Sequence, residues 1–210
     1  MNKYIDSFLD EFERPENSKV PDVNYIASYK GKLPEELLEF WSVFGFCSFL
    51  DGLFSIVDPQ EYASILEDWF KRVGISLDDD KYYIIGKSGF GDLYIYAAEQ
   101  GYCYKLNSMN GWLIKQNNNS IDYFFSGLCT YTVDLEDLDT DEDIFKPAVE
   151  KFGKLDKDEM FGFVPSLVAG GEITLDNVEK VNLQIHLDII LQLTEPKIIT
   201  IDDLKSMAFN

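Results

Sequence analysis

Histidine is almost missing from this 210-residue chain: His186 stands alone. A metal hydrolase or a zinc site needs several nitrogen or sulfur ligands, and Cys47, Cys103 and Cys129 supply no C-x-x-C pair to add to it. The odd, scattered cysteines also exclude a disulfide framework and read as reduced, mostly buried thiols. A serine triad would have to use the same histidine, and no G-x-S-x-G accompanies it. Positive charge is scarce too, with 18 basic against 38 acidic residues and a net charge of −20. Such a surface repels phosphate backbones and anionic membranes, and it favours a basic partner. Acidity kept for solubility is the plainer explanation of the charge taken alone. No run reaches the roughly 18 apolar residues needed to span a bilayer. The N-terminus MNKYIDSFLDEF is acidic and amphipathic rather than signal-like, which predicts a cytoplasmic protein.

What is present is a large apolar inventory: 46% hydrophobic residues and 15% aromatic, ample for a substantial core. Tyr4, Ile5, Phe8, Leu9 and Phe12 form a helical stripe that ends before Pro15. Leu33-Pro34-Glu35-Glu36 announces a second helix, with proline in its first turn and acids at its positive end, running to Gly45. Leu53 to Val57 reads as a strand, and Asp58-Pro59 opens a helix carrying Tyr62, Ile65, Leu66, Trp69 and Phe70. From Tyr82 the period changes to alternation, which predicts about four short antiparallel strands up to Gln116. Ser120 to Cys129 is a helix. Ile144, Val149 and Phe152 mark another, ended by Gly153, and Val178 to Leu193 reads as one long, buried helix. Between these last two, FGFVPSLVAGG is a constrained turn region whose glycines let the backbone come close to something.

Two motifs invite chemistry and fail on spacing. Gly86-Lys87-Ser88 has no glycine five residues upstream and is followed by Gly-Phe-Gly-Asp and a strand, so it is a hairpin rather than a phosphate loop. Asp137, Asp139 and Asp141, set as positions one, three and five of a calcium loop, put Glu142 where glycine is needed and Ala148 where glutamate is needed. Thr140 with its following acids is better explained as a helix cap. No catalytic residue, metal site or cofactor is therefore expected.

A resemblance runs through both halves. Leu33, Pro34, Leu37, Leu38, Trp41 and Gly45, then Asp51, Gly52, Leu53, Phe54, Ile56, Val57, Pro59, Glu61, Tyr62 and Trp69, resemble the GAD-like domain, as does the turn Phe90-Gly91-Asp92-Leu93. Phe152, Gly153, Leu155, Glu159, the run Phe161 to Pro165, and Ala169, Gly170 and Gly171 resemble the C-terminal domain of bacterial immunity proteins associated with type VI secretion DNase toxins. Lys180, Val181, His186, Leu187, Leu191, Gln192 and Leu193 continue that likeness. These are mostly apolar, glycine and proline positions, so they specify a fold better than an activity.

The expected fold class is α+β: N-terminal helices with a small antiparallel β-sheet over residues 1–133, then a mostly helical C-terminal lobe over 134–210 packed against it. The joint is placed at Val133 to Asp143. The resemblance implies a non-enzymatic immunity protein that neutralises a basic toxin, a DNase, without touching nucleic acid or membrane itself. Candidate steering carboxylates are Asp78, Asp79, Asp80, Glu136, Asp137, Asp139, Asp141 and Glu142. The alternative is a small-molecule-binding module with a pocket between the lobes at Phe163, Pro165, Gly170, Gly171 and His186. Tight helix packing explains those glycines equally well. Knot-like acidic immunity folds sharing an L-P-x-x-L helix form a broader possibility.

Overall fold

The strands alternate in a way that fixes the whole architecture, because both of their faces are apolar. Successive strand residues point to opposite sides. Ile85, Tyr94 and Tyr102 join one buried cluster, while their neighbours Ile84, Leu93, Ile95 and Cys103 join another. A sheet apolar on both sides must be covered on both sides. The computed structural model, which describes residues 3–134 and 141–208, shows how this is done.

In chain order, helix α1 (Lys3–Phe12) leads to strand β1 (Glu16–Lys19), then α2 (Val23–Ser28), α3 (Glu35–Val43), β2 (Phe46–Phe49), β3 (Phe54–Ile56) and α4 (Ala63–Val73). The alternating region supplies β4 (Tyr82–Ser88), β5 (Leu93–Ala97), β6 (Gly101–Asn107) and β7 (Trp112–Lys115). There follow α5 (Ile121–Asp134), α6 (Asp141–Phe152), β8 (Glu159–Phe163), β9 (Val178–Asn182), α7 (Leu183–Leu193), β10 (Lys197–Thr200) and α8 (Ile201–Ala208). One eight-stranded sheet has the order β1-β2-β3-β4-β5-β6-β7-β10, antiparallel except for the β7/β10 pair; β8 and β9 form a separate hairpin.

Helices α1, α3 and α5 cover one face around Phe8, whose ring centroid lies 4.5 Å from Phe12, 4.9 Å from Phe49 and 5.4 Å from Phe125. The opposite face is covered by α4 and α7 through Trp69, Phe70, Leu183, Leu187 and Ile190. A third cluster joins α6 to the β8/β9 hairpin, where Phe90 from the β4/β5 turn meets Phe145, Phe161 and Phe163. Gly91 in that turn has φ +84, a conformation that glycine adopts without penalty.

Two expectations are overturned. The sheet is not small: β1 and β2 extend it on one side and β10 on the other, giving eight strands where about four were expected. The C-terminal part is not mostly helical, since it contributes the β8/β9 hairpin and the parallel edge strand β10. The spacing of Val178 and Val181 predicts the start of a long helix, yet they lie on β9, opposite Phe163 and Met160. Asn182 then caps α7, its side chain accepting from the amide of Ile185. β-branched valines three apart suit a strand packed on both faces as well as a helix row, and the capping asparagine between them and Leu183 marks where the chain changes state. Most of the expected joint at Val133 to Asp143, with the Thr140 cap, lies outside the described residues.

Candidate functional site

A cavity of about 480 Å³ opens where the segment Lys154 to Asp158 crosses the start of the sheet. Its floor is sheet: Phe46, Cys47 and Ser48 from β2, Ser55 and Ile56 from β3, and Lys87 from β4. Asp58, Glu61 and Tyr62, just ahead of α4, form one wall, and Leu155 to Asp158 form the other.

The crossing segment is fastened at several points. Lys154 pairs with Glu16 at 2.9 Å and Asp51 at 2.5 Å, and those carboxylates hold its ammonium above the usual lysine range. The Leu155 amide donates to the Asp51 carbonyl, and the Tyr62 hydroxyl donates to the Lys157 carbonyl at 2.8 Å. Lys157 pairs with Glu61 at 2.8 Å on the exposed rim, and Lys180 donates to the Lys154 carbonyl at 2.6 Å. Exposed pairs of this kind contribute little singly.

Lys87 is the unusual member. It is 1% exposed, and its Nζ donates to the carbonyls of Glu159 at 2.6 Å and Asp156 at 3.3 Å. Burial pushes its ammonium down to about 8, opposed by the nearby charges of Asp158, Glu159 and Asp156. A buried charge persists only when it is well hydrogen-bonded. Beside it, burial pushes the Cys47 thiol up to about 12, so it is an inert thiol at neutral pH. Burial likewise raises Tyr62 above the usual tyrosine range. Asp58 is held by the Tyr25 hydroxyl, and Tyr25 bonds Tyr29 in turn at 3.2 Å. The cleft thus offers a cation at its floor and carboxylates at its rim, a lining suited to holding a polar group.

The candidate steering carboxylates do not act as a set. Asp78 and Asp79 are exposed between α4 and β4. Asp80 is buried, accepting from the amides of Lys81 at 2.6 Å and Glu99 at 3.2 Å and from Gln100 Nε2 at 3.4 Å. It ties the α4/β4 loop to the β5/β6 turn. Glu136, Asp137 and Asp139 lie outside the described residues; Asp141 and Glu142 open α6, and their side chains are also outside what is described.

The candidate pocket residues surround packed material. Phe163 stacks on Phe90 at 5.7 Å, and His186 lies against Gly162, where an added Cβ would come within 2.8 Å of the imidazole. The space among Phe163, Ser166 and His186 is about 10 Å³, room for one water at most. Burial pushes His186 down, so the ring is neutral. Gly171 is required by the turn itself, since a Cβ there would meet the Pro165 carbonyl oxygen at 1.9 Å. Pro165 and Gly170 are exposed. Lys87 escaped the sequence reading because rejecting the phosphate loop left it as an ordinary hairpin residue. Its signal was a lysine two residues past the apolar run Tyr82 to Ile85, on the same alternating strand.

Residues 3–110 match the GAD-like domain, and residues 118–194 match the C-terminal domain of the type VI secretion immunity protein Tdi1. The crystal structure of Atu4351 from Agrobacterium tumefaciens is similar, with a TM-score of 0.69 over 89% of this chain and 87% of that one. At 22% identity that likeness carries the fold alone. No curated protein matches the chain.

Proposed function

The chain belongs to the GAD-like, Tdi1-type family of type VI secretion immunity proteins, and from that premise we propose that it binds and neutralises a cognate nuclease toxin in the cytoplasm. The observation that carries this is the match of both segments, in order, in one chain. The net charge of −20 suits a partner whose own surface is basic because it handles DNA. Carboxylates such as Asp78 and Asp79 steer the encounter, which raises association towards roughly 10⁸ to 10⁹ M⁻¹s⁻¹ at low salt. A few buried contacts then hold the complex. No helix among the described residues is long and apolar enough to cross a membrane. The test is co-expression with the product of the neighbouring gene, tested as the toxin. Rescue of growth and a co-purifying complex are expected; intoxicated cells and no complex would refute the reading.

A second reading has an observation of its own. The cleft over Lys87 has the volume of a small-ligand site, within the usual range of about 300–1,000 Å³. A fitting ligand presents an acceptor to Lys87 and donors to the rim carboxylates, as a zwitterion does. Thermal melting of the wild type and Lys87→Met against free amino acids checks it: stabilisation of the wild type alone supports the site, and equal or absent shifts remove it.

A further inference from the structure

Helices α4 and α7 lie side by side, matched turn for turn. Gln184 Nε2 is 3.4 Å from Ser64 Oγ, Asp188 senses the charge of Asp68, and an Arg72 guanidinium nitrogen reaches the Leu191 carbonyl at 3.4 Å. Their inner faces share one buried cluster. The outer face of α7 is different. Ile185, Ile189 and Leu193 are 61%, 45% and 54% exposed, and their four-residue spacing makes them one row. At 1.5 Å per residue that row is about 12 Å long. Scattered exposed aliphatics are ordinary on a protein surface; a continuous row on one helix is a contact strip.

Charge says what covers it. Asp68 and Asp188 stand at matching positions across the helix seam, each four residues beyond the Ser64/Gln184 contact, and neither has a salt-bridge partner among the described residues. Partial burial, with the Asp68 charge adding to it, holds the Asp188 carboxyl above the usual aspartate range. A cation arriving from outside relieves that repulsion. A second copy of this chain brings another pair of carboxylates and another net charge of −20, so self-association on this face is opposed.

We propose that the α4/α7 face is the surface on which the toxin docks, Ile185, Ile189 and Leu193 taking its apolar anchors and the Asp68/Asp188 pair taking a lysine or arginine. This rests on the immunity reading above and adds its location. Because the strip is already exposed, substitutions there leave the core untouched.

The experiment measures binding to the full-length chain of a purified, catalytically inactivated candidate toxin, the product of the neighbouring gene. Four proteins are compared: wild type, Ile189→Asp, the double variant Asp68→Asn/Asp188→Asn, and Val43→Asp. Val43 is exposed on α3, over the opposite face of the sheet, and serves as the control. Ile189→Asp is expected to weaken binding about 30-fold or more, the scale of an interface hot spot. The double variant is expected to lose about 5- to 10-fold at low salt, less as salt is added, and Val43→Asp is expected to bind as the wild type does. Wild-type binding with an undiminished Ile189→Asp overturns the location and leaves the immunity reading standing. An oligomer that Ile189→Asp dissociates, with toxin binding intact, also overturns it by assigning the strip to self-contact. No binding by the wild type removes the immunity reading itself.

Discussion

Replacing Lys87 with methionine tests whether a buried ammonium really sits under the cleft. Lys87 falls from an ordinary 10.5 to about 8 on folding, chiefly through burial. Above about pH 8 the unfolded chain therefore binds a proton at this site that the folded chain has released, and stability attributable to Lys87 rises with pH until about 10.5. Buried tyrosines act in the opposite sense above pH 10, because burial raises Tyr29, Tyr62 and Tyr102 and the unfolded chain ionises first. Subtracting the variant from the wild type cancels them. The difference in unfolding free energy should grow by about 2 kcal/mol between about pH 7 and about pH 9.5. A separate loss, about 1–3 kcal/mol and nearly independent of pH, comes from leaving the Asp156 and Glu159 carbonyls without their donor. Urea unfolding of both proteins across that range measures the gap. A gap that stays flat, or that narrows as pH rises, would refute the assignment of a protonated, buried lysine.

Three other outcomes follow from the packing and from the acidic loop. Gly162→Ala should lower stability by about 1–3 kcal/mol, because the new methyl group meets the His186 ring and Val181 at 2.8 Å; an unchanged melting temperature would show that the turn region has slack. Asp80→Ala should cost about 1–3 kcal/mol in stability, read by urea unfolding, and leave toxin association alone, since its carboxylate is spent on Lys81, Glu99 and Gln100. Asp78→Lys/Asp79→Lys should do the reverse, slowing association in stopped-flow at low salt without a stability loss.

Elements whose own residues carry their signal were legible. The stripe of α1, the Pro34-Glu35-Glu36 start of α3 and the alternation of β4 to β7 all depend on local spacing, and the structure has them where the spacing puts them. Edge strands were not. β1 is Glu-Asn-Ser-Lys, almost wholly exposed, and it is a strand because β2 offers it a hydrogen-bonding edge. β10 is short and borrows its order from β7, 85 residues earlier in the chain. Such strands owe their state to tertiary pairing rather than to propensity. Asp80 shows the same limit within the acidic loop. Three consecutive aspartates look equivalent as letters, and only the meeting of two distant turns makes the third one structural.

Two features cross between the two matched segments. Lys87, from the first, holds carbonyls of the second, and α4 and α7, one from each, share a seam. The apolar cores follow the same pattern, since Met160, Leu183 and Leu187 pack with Trp69, Ile84 and Leu93 in a single cluster. A hydrophobic cluster is cooperative because each buried side chain excludes water from the others, so neither half of this one is covered without its counterpart. The apolar strip on α7 is therefore aimed by helix α4, and the carboxylates beside it, Asp68 and Asp188, come into register only because both segments are folded together. Toxin recognition at that face would use the joint between the two segments rather than either one alone.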